Sequence, residues 1–288
     1  MPGPELVTPE LLRDWTLPGP ASSKKSRGQV VVIGGAARTP GAVVLGGLAA
    51  LRVGAGHLQL AMAGSVAPAV AATFPEAGVM ALEETAGGTI KGHQAADACK
   101  DMVAGADAVL VGPGLDDPDE AADLVQDLLE LLAEEDVALV LDAFALGVLP
   151  PVRDAVSELG DRTVLTPNPD ELERLLDRDC EPDLDDVREA AERYACCVTA
   201  QGMIADRQGR TWRVPLGHPG LATAGSGDVL AGLVAGLLAR GADPAQAACW
   251  GTYLHSMSGE RLASAVGDLG FLARELVDQV PAVLAELS

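Results

Sequence analysis

Aromatic side chains are scarce in this sequence: only 3% of its 288 residues are Phe, Trp or Tyr. The hydrophobic content is nevertheless 48%, which is enough to bury a sizeable core and excludes a disordered chain. The core must therefore be built from Ala, Val and Leu. The length allows one large α/β domain or two small ones. Because no linker rich in Gly, Ser or Pro divides the chain, we expect a single domain over residues 1–288.

Basic residues are also few, with 20 Lys and Arg against 42 Asp and Glu, which gives a formal net charge of -22. A field of this sign repels phosphodiesters and anionic lipids, so nucleic acid and membranes are excluded as main partners. An anionic substrate would need local positive potential from helix ends, glycine loops or a bound metal.

Paired cysteine motifs are absent. The five cysteines include no Cys-x-x-Cys, and no His spacing typical of zinc occurs. An odd number of cysteines without the spacing of a disulfide framework indicates a reducing compartment. Neighbouring Cys196 and Cys197 would point to opposite faces of a strand as small buried hydrophobes. No signal peptide is evident, and the apolar helix predicted over 227–239 is too short to span a bilayer. We therefore expect a cytoplasmic protein.

Short apolar runs alternate with helical segments along most of the chain. Strands are predicted for QVVVIGG, which ends in two glycines, HLQLAM, ADAVLVG, VALVLDA, RTVLTP and CCVTA, and helices follow most of them. Residues 19–28 read as a polar loop, and residues 244–288 as helices. Strands that alternate with helices of 10 to 15 residues indicate parallel βαβ units with helices on both faces of one sheet.

Ligands of an open parallel sheet bind outside the carboxyl ends of its strands. Small and polar residues stand at these ends: Gly34-Gly35, Gly112-Pro113-Gly114, Asp142, Thr166-Pro167-Asn168 and the loop before Gly225. The glycine pattern of a dinucleotide fingerprint and that of a P-loop are both absent.

The segment LATAGSGDVLAGLVAGLLARG, residues 221–241, places Gly-Ser-Gly-Asp before a helix with ten uncharged residues after Asp228. A helix that is apolar on every side is a buried one. Its free N–H groups and its dipole favour an anion such as a phosphate. A carboxylate repels a phosphate, so Asp228 suggests chemistry rather than binding alone. Each residue also has a structural interpretation. Asp228 would be a first-turn acid favoured by the helix dipole, the glycines would form a tight turn, and Ser226 would be an N-cap.

The segment ATAGSGDVLAGLVAGLLARGADPAQAA resembles the ribokinase-like superfamily. In that superfamily, a G-x-G-D motif opens a helix. The ADP-dependent NAD(P)H-hydrate dehydratases have a first βαβ unit similar to VVIGGAARTPGAVVLGGLAALRVGAGHLQLA. Further motifs of that family match VLVGPGL, LVLDAFAL and LTPNPDELERLL in the same order. The resemblance extends from about Leu6 to the C-terminal helices, without the epimerase domain that some relatives carry.

This resemblance implies a three-layer α/β/α fold with a central, mostly parallel sheet, usually in a homo-oligomer such as a tetramer. It implies that hydrated NADH or NADPH is phosphorylated by ADP or ATP with Mg²⁺ and then loses phosphate. Asp228 would be the base. The backbone of Ala224, Gly225, Ser226 and Gly227 would hold the phosphoryl group. No dedicated protein ligands for the metal are evident.

Further binding residues follow from the same resemblance. Gln201 and Gly202 would lie at the nucleotide, and Ala42, Gly114, Asp142 and Asn168 at the hydrated substrate. Each also has a purely structural interpretation: Ala42 as a small helix residue, Gly114 as a turn glycine and Asp142 as a satisfied buried acid. Asn168 would then be only a helix cap, since Pro169 and Glu171 complete a capping-box pattern.

Three positions depart from the family pattern. Asn168 stands where the family has His, Phe144 replaces one acid of an Asp-Ala-Asp-Ala-Leu motif, and VTAQG at 198–202 lacks the family's Lys-Gly. Gln201 cannot supply the missing charge. These departures leave open an ATP-dependent kinase of a sugar or vitamin precursor, a paralogue with reduced activity, and a non-catalytic nucleotide-binding protein.

Overall fold

The computed structural model describes residues 3–19 and 27–287, so most of the polar loop predicted over 19–28 lies outside the described residues. Ten strands of this described part form one sheet in the order β1-β10-β9-β8-β7-β6-β5-β2-β3-β4. The strands are Glu5–Leu6 (β1), Gln29–Ile33 (β2), His57–Ala63 (β3), Ala77–Leu82 (β4), Ala108–Val111 (β5), Ala138–Leu141 (β6), Thr163–Leu165 (β7), Cys197–Ala200 (β8), Met203–Ala205 (β9) and Thr211–Arg213 (β10).

Helices cover both faces of this sheet. They are Pro9–Asp14 (α1), Pro40–Arg52 (α2), Ala67–Thr73 (α3), Gly92–Ala104 (α4), Pro118–Ala133 (α5), Arg153–Glu158 (α6), Pro169–Leu176 (α7), Leu184–Arg193 (α8), Ser226–Ala239 (α9), Pro244–Val266 (α10) and Ala273–Leu287 (α11). One core lies between the sheet and α2, α9, α10 and α11, and the other between the sheet and α4, α5, α7 and α8. The predicted three-layer α/β/α architecture is confirmed.

Pairing is parallel from β4 through β8, whereas β9 pairs antiparallel with both β8 and β10. The sheet is therefore mostly parallel, as predicted. Cys196 and Cys197 enter opposite cores and are both buried. All five cysteines are free thiols.

The chain changes direction across the sheet at β2. It adds β3 and β4 on one side and then returns to form β5 on the other side of β2. The helices that follow β2 and β5, α2 and α5, therefore lie on opposite faces of the sheet. The carboxyl edge between such strands is where open α/β sheets bind ligands in a crevice.

Helix α9 packs closely on α2 through glycines. A Cβ on Gly232 would lie 2.1 Å from Gly46 O, and a Cβ on Gly236 would lie 2.7 Å from Ala50 O. Eleven residues of α9 are buried, as its uniformly apolar sequence predicts. This packing fixes the axis of α9. Within the described residues, no helix combines the length and hydropathy needed to cross a membrane.

Candidate active site

The loops after β2 and β5 are tied together at the crevice. Gly35 N–H donates to Pro113 O at 2.8 Å, and Thr39 Oγ1 donates to Gly114 O at 2.8 Å. Gly114 has a φ of 73°, and a Cβ there would lie 2.5 Å from Thr39 O and 3.2 Å from Ala42 Cβ. Two of the predicted substrate residues, Ala42 and Gly114, are thus neighbours, and Gly114 must be glycine.

The first turn of α9 begins at a glycine cap. Gly225 occupies the N-cap with φ 87° and makes no side-chain cap bond. The suggestion that Ser226 is the N-cap is wrong: Ser226 is the first helical residue, and its side chain turns into the protein. Ser226 N–H donates to Thr223 O at 3.1 Å. Because a glycine cap has no side chain to accept from the next N–H groups, those of Gly227 and Asp228 remain open to an external anion.

Asp228 is half-buried in this first turn. Burial raises the pKa of its carboxyl to about 6, and the negative charge of Glu171 adds to the shift. A Cβ on Gly46 of α2 would lie 3.4 Å from Asp228 O. Asp228 is therefore mostly ionised at neutral pH, yet more basic than an ordinary aspartate.

Asp142 lies at the carboxyl end of β6 and is only 3% exposed. Thr166 Oγ1, which follows β7, donates to Asp142 Oδ1 at 2.7 Å. Burial raises the pKa of Asp142 to about 8; the Thr166 bond opposes this shift, and the charges of Asp228 and Glu171 add to it. Asp142 is accordingly protonated at neutral pH, which reduces the cost of burying a carboxyl group.

Asn168 caps α7. Its Oδ1 accepts from Glu171 N–H at 2.9 Å, while Asn168 N–H donates to Glu171 Oε2 at 2.9 Å. The predicted capping box is confirmed. Asn168 is exposed, and its amide NH2 makes no hydrogen bond within the described part of the chain. The cap and a ligand contact are therefore compatible.

A cleft of about 940 Å³ opens beside α9, a volume sufficient for a nucleotide. Its walls come from the β7 exit, the β8–β9 turn, residues 214–223, the start of α9 and the inner face of α10. Of the predicted site residues, it is lined by Asn168, Gln201, Gly202, Ser226 and Gly227. The others, Ala42, Gly114, Asp142, Ala224, Gly225 and Asp228, do not line it.

Charge is sparse in this cleft. Arg213 is the one Lys or Arg among the described residues that line it, and no Asp or Glu of that set does. Gln201 and Gly202 form a tight turn with φ values of 51° and 77°, and Gly202 O accepts from Val214 N–H at 2.8 Å. The family's lysine is thus missing from the turn, whereas β10 brings Arg213 to the same cleft. Sequence reasoning missed Arg213 because the three-residue strand β10 has no readable pattern.

His255 is a second residue that sequence reasoning missed. It lies on α10, lines the cleft and is 9% exposed. Its Nε2 is 2.8 Å from Ser226 Oγ. Burial lowers the pKa of His255 to about 4 against a smaller opposing effect of Ser226, so the ring is neutral. The only available signal was a single histidine within a mainly apolar helix.

Comparison with known proteins agrees with this architecture. The family model for NAD(P)H-hydrate dehydratase matches residues 30–282. An ADP-dependent (S)-NAD(P)H-hydrate dehydratase of Xanthomonas campestris is 42% identical, over 100% of this chain and 99% of the relative. The chain spans about half the length of the bifunctional NAD(P)H-hydrate repair enzymes that it also matches.

Solved structures have the same fold. An ADP/ATP-dependent NAD(P)H-hydrate dehydratase from Bacillus subtilis, co-crystallized with ATP/Mg²⁺, superimposes with a TM-score of 0.76 at 25% identity, over 99% of both chains. A ribokinase-like superfamily protein from Enterococcus faecalis gives a TM-score of 0.80 at 23% identity, over 99% of this chain and 96% of that one. The fold is ribokinase-like, and the chain belongs to the NAD(P)H-hydrate dehydratase family.

Proposed function

We propose that this chain converts hydrated NADH and NADPH back to NADH and NADPH at the expense of ADP, with release of AMP and phosphate. The observation that supports it best is the position of Asp228 in the glycine-capped first turn of α9. Its neighbour Gly227 lines the large cleft, and its carbonyl lies near Gly46 of the helix that carries Ala42. A base at this point can reach a substrate on one side and a phosphoryl donor on the other. The family relationship supports the same reaction.

The cleft is the proposed nucleotide site. The adenine nucleotide would lie between the Gln201-Gly202 turn and the start of α9. Its terminal phosphate would meet the backbone of residues 224–227, where free N–H groups and the helix dipole stabilise negative charge. Arg213 is the cation available to offset the missing lysine.

The crevice between β2 and β5 is the proposed site of the hydrated nicotinamide ring. Ala42 and Gly114 are small neighbours, so a ring could approach the backbone closely at this point. Ala42 precedes Gly46 by four residues, so both lie on one face of α2, and Gly46 approaches Asp228 O. This spacing brings the crevice within one helical turn of Asp228.

The chemistry begins with proton transfer from the C6 hydroxyl of the ring to the Asp228 carboxylate. The hydroxyl oxygen forms a bond to the β-phosphorus of ADP, and the bond from that phosphorus to the bridging oxygen breaks, so that AMP leaves. The backbone of residues 224–227 stabilises the charge that develops on the phosphoryl oxygens. Phosphate then leaves C6, and the neighbouring ring carbon loses a proton, which restores the ring double bond.

Asp142 and Asn168 would orient the substrate. A protonated Asp142 can donate a hydrogen bond, while Thr166 occupies its other oxygen. The free amide NH2 of Asn168 offers a neutral donor where the family has His. Both contacts are compatible with the structural roles that these side chains already fill.

Mg²⁺ is expected to accompany the nucleotide. The described residues contain no group of three or more His, Cys, Asp or Glu arranged to hold a metal, which suits an ion bound mainly by phosphates with one or two carboxylates. Glu171 is the carboxylate that would fit this requirement, because its negative charge acts on both Asp228 and Asp142, whereas Asp142 is protonated and Asp228 is the proposed base. When bound, the ion would neutralise phosphate charge.

Several expectations are part of the same proposal. We propose one domain over residues 1–288, a homotetramer and a cytoplasmic location. We propose ADP rather than ATP as the donor because the Xanthomonas relative is an ADP-dependent enzyme. The alternative, a sugar or vitamin-precursor kinase, is not favoured by the relatives.

The direct test incubates the purified chain with hydrated NADH, Mg²⁺ and ADP or ATP. We expect the absorbance of reduced NADH to return, together with stoichiometric AMP and phosphate. The Asp228→Asn variant and a reaction without nucleotide are the controls. Accumulation of a stable phosphorylated alcohol would instead support a kinase, and unchanged hydrate would contradict the proposed reaction.

A further inference from the structure

One face of α10 contributes polar side chains to the floor of the cleft. Thr252, His255 and Ser256 line the cleft and are all buried. Thr252 Oγ1 lies 2.8 Å from Thr199 Oγ1 on β8, and His255 Nε2 lies 2.8 Å from Ser226 Oγ on α9. Buried polar groups are costly unless they are paired. These two contacts therefore tie α10 to both sides of the nucleotide cleft.

The Ser226–His255 contact anchors the first turn of α9 through a side chain. Gly225 and Gly227 flank Ser226, and glycine has no side chain of its own to restrict the backbone. Within the described residues, Ser226 makes the only side-chain hydrogen bond of the segment 224–228. The packing of Gly232 and Gly236 on α2 fixes the helix axis further along, and Leu45 of α2 lies beside Gly225 at the first turn. The bond to His255 adds a polar contact to this turn from the opposite side, that of α10.

The neutral ring of His255 suits this role. Ser226 Oγ can donate to Nε2 or accept from it, so either neutral tautomer keeps the bond. A neutral ring adds no charge to the cleft and keeps the same partner throughout the physiological pH range.

We propose that His255 is a positioning residue: through Ser226 Oγ it fixes the first turn of α9, and with it the phosphate-binding N–H groups and Asp228. This inference rests on the proposed function, because it assumes a nucleotide at α9. His255 acts through Ser226 and needs no contact with the reacting atoms.

The test compares Ser226→Ala, His255→Leu, their double variant and His255→Gln. ADP affinity is measured by calorimetry without hydrate, and kcat and KM are measured with hydrated NADH. We expect each of the first two variants to weaken ADP binding about tenfold, the scale of one buried hydrogen bond. The double variant should show the same loss of about tenfold rather than about a hundredfold, because one contact is removed in every case. His255→Gln keeps a side-chain amide near Ser226 and should recover most of the affinity.

Ser258→Ala is the matched control. Ser258 is fully buried on α10 and donates to Leu254 O at 2.7 Å without lining the cleft. It should lower the melting temperature about as much as Ser226→Ala, yet leave ADP affinity unchanged. Additive losses in the double variant, or wild-type ADP affinity in His255→Leu, would overturn the positioning role.

The two proposals fail in different ways. A wild-type chain that binds ADP but leaves the hydrate unchanged overturns the dehydratase function, while the binding measurements still decide the role of His255. A wild-type chain that does not bind ADP overturns both proposals.

Discussion

Thr166 Oγ1 donates to Asp142 Oδ1 at 2.7 Å across the ends of two neighbouring strands, β7 and β6. This bond gives a deeply buried carboxyl group one partner and leaves its second oxygen able to carry a proton. Burial raises the pKa of Asp142 to about 8, and the charges of Asp228 and Glu171 add to the shift, so Asp142 is protonated while Asp228 is ionised at neutral pH. Such a difference between two carboxyl groups allows them to fill different roles.

The stability of the protein should reflect the raised pKa of Asp142. Its pKa is 3.8 for an ordinary Asp and about 8 in the fold, so the folded state binds the extra proton between these values. The stability that this carboxyl group contributes is fully present below pH 3.8. It is lost progressively above that pH, as the pH rises through about 8. Asp142→Asn should therefore stabilise the protein at pH 8, by on the order of 2 kcal/mol. Urea unfolding at several pH values measures this, and a variant less stable than wild type at pH 8 would contradict it.

Activity should depend on both acids. Ionisation of Asp228, with a pKa of about 6, should make kcat/KM rise with pH up to about 6. Loss of the Asp142 proton, with a pKa of about 8, should make it fall again above that value, which gives a bell-shaped profile. Asp142→Asn should abolish the basic limb only. If the acidic limb of the Asp142→Asn profile moves while its basic limb persists, Asp142 is responsible for the acidic limb and the two assignments are exchanged.

Gly225→Ala should weaken nucleotide binding. Gly225 has a left-handed φ of 87°, and a Cβ there would lie 2.5 Å from Leu45 Cδ1. The added methyl group strains the cap by about 1–2 kcal/mol and should displace the first turn of α9. Gly209→Ala is the control, because Gly209 has a φ of 79° with nothing within 4 Å of its Cβ. Both variants should lose stability through backbone strain, but only Gly225→Ala should raise the Kd for ADP, by about tenfold or more. Equal Kd values would show that the cap does not shape the site.

Substitutions can separate the two roles of Asn168, as the cap of α7 and as a contact to the substrate. Asn168→Asp keeps the side-chain oxygen that caps α7 but removes the amide donor, so stability should be retained while KM for the hydrate rises about tenfold. Asn168→Ala removes both and should also cost about 1 kcal/mol of unfolding free energy. Thermal melts and steady-state kinetics give the two readouts. If Asn168→Asp has a wild-type KM, Asn168 is only a cap.

Much of this fold could be predicted from local patterns. The β-branched run at Gln29–Ile33 and the uniformly apolar α9 are confirmed, because buried strands and helices have distinctive compositions. The capping box of Asn168 and Glu171 is confirmed because it depends on a fixed spacing of three residues. These features are local, so the sequence contains them directly.

The features that were missed depend on contacts between distant segments. The sequence suggests Ser226 as an N-cap of α9. Gly225 is the N-cap instead, because only glycine readily adopts the backbone angles at that position. The partner of Ser226 lies 29 residues further on, at His255. The short strands β9 and β10 have three residues each, too few to show an alternating pattern. Pairing partners such as Thr166 and Asp142 become visible only once the order of the strands is known.

The most direct measurement is turnover of hydrated NADH with ADP by the Asp228→Asn variant, alongside its affinity for ADP. The near-isosteric amide preserves the first turn of α9 but cannot take a proton. We predict a fall in kcat on the order of 10² to 10⁴ with a Kd for ADP within about threefold of wild type. Turnover close to that of the wild-type chain would contradict the assignment of Asp228 as the base.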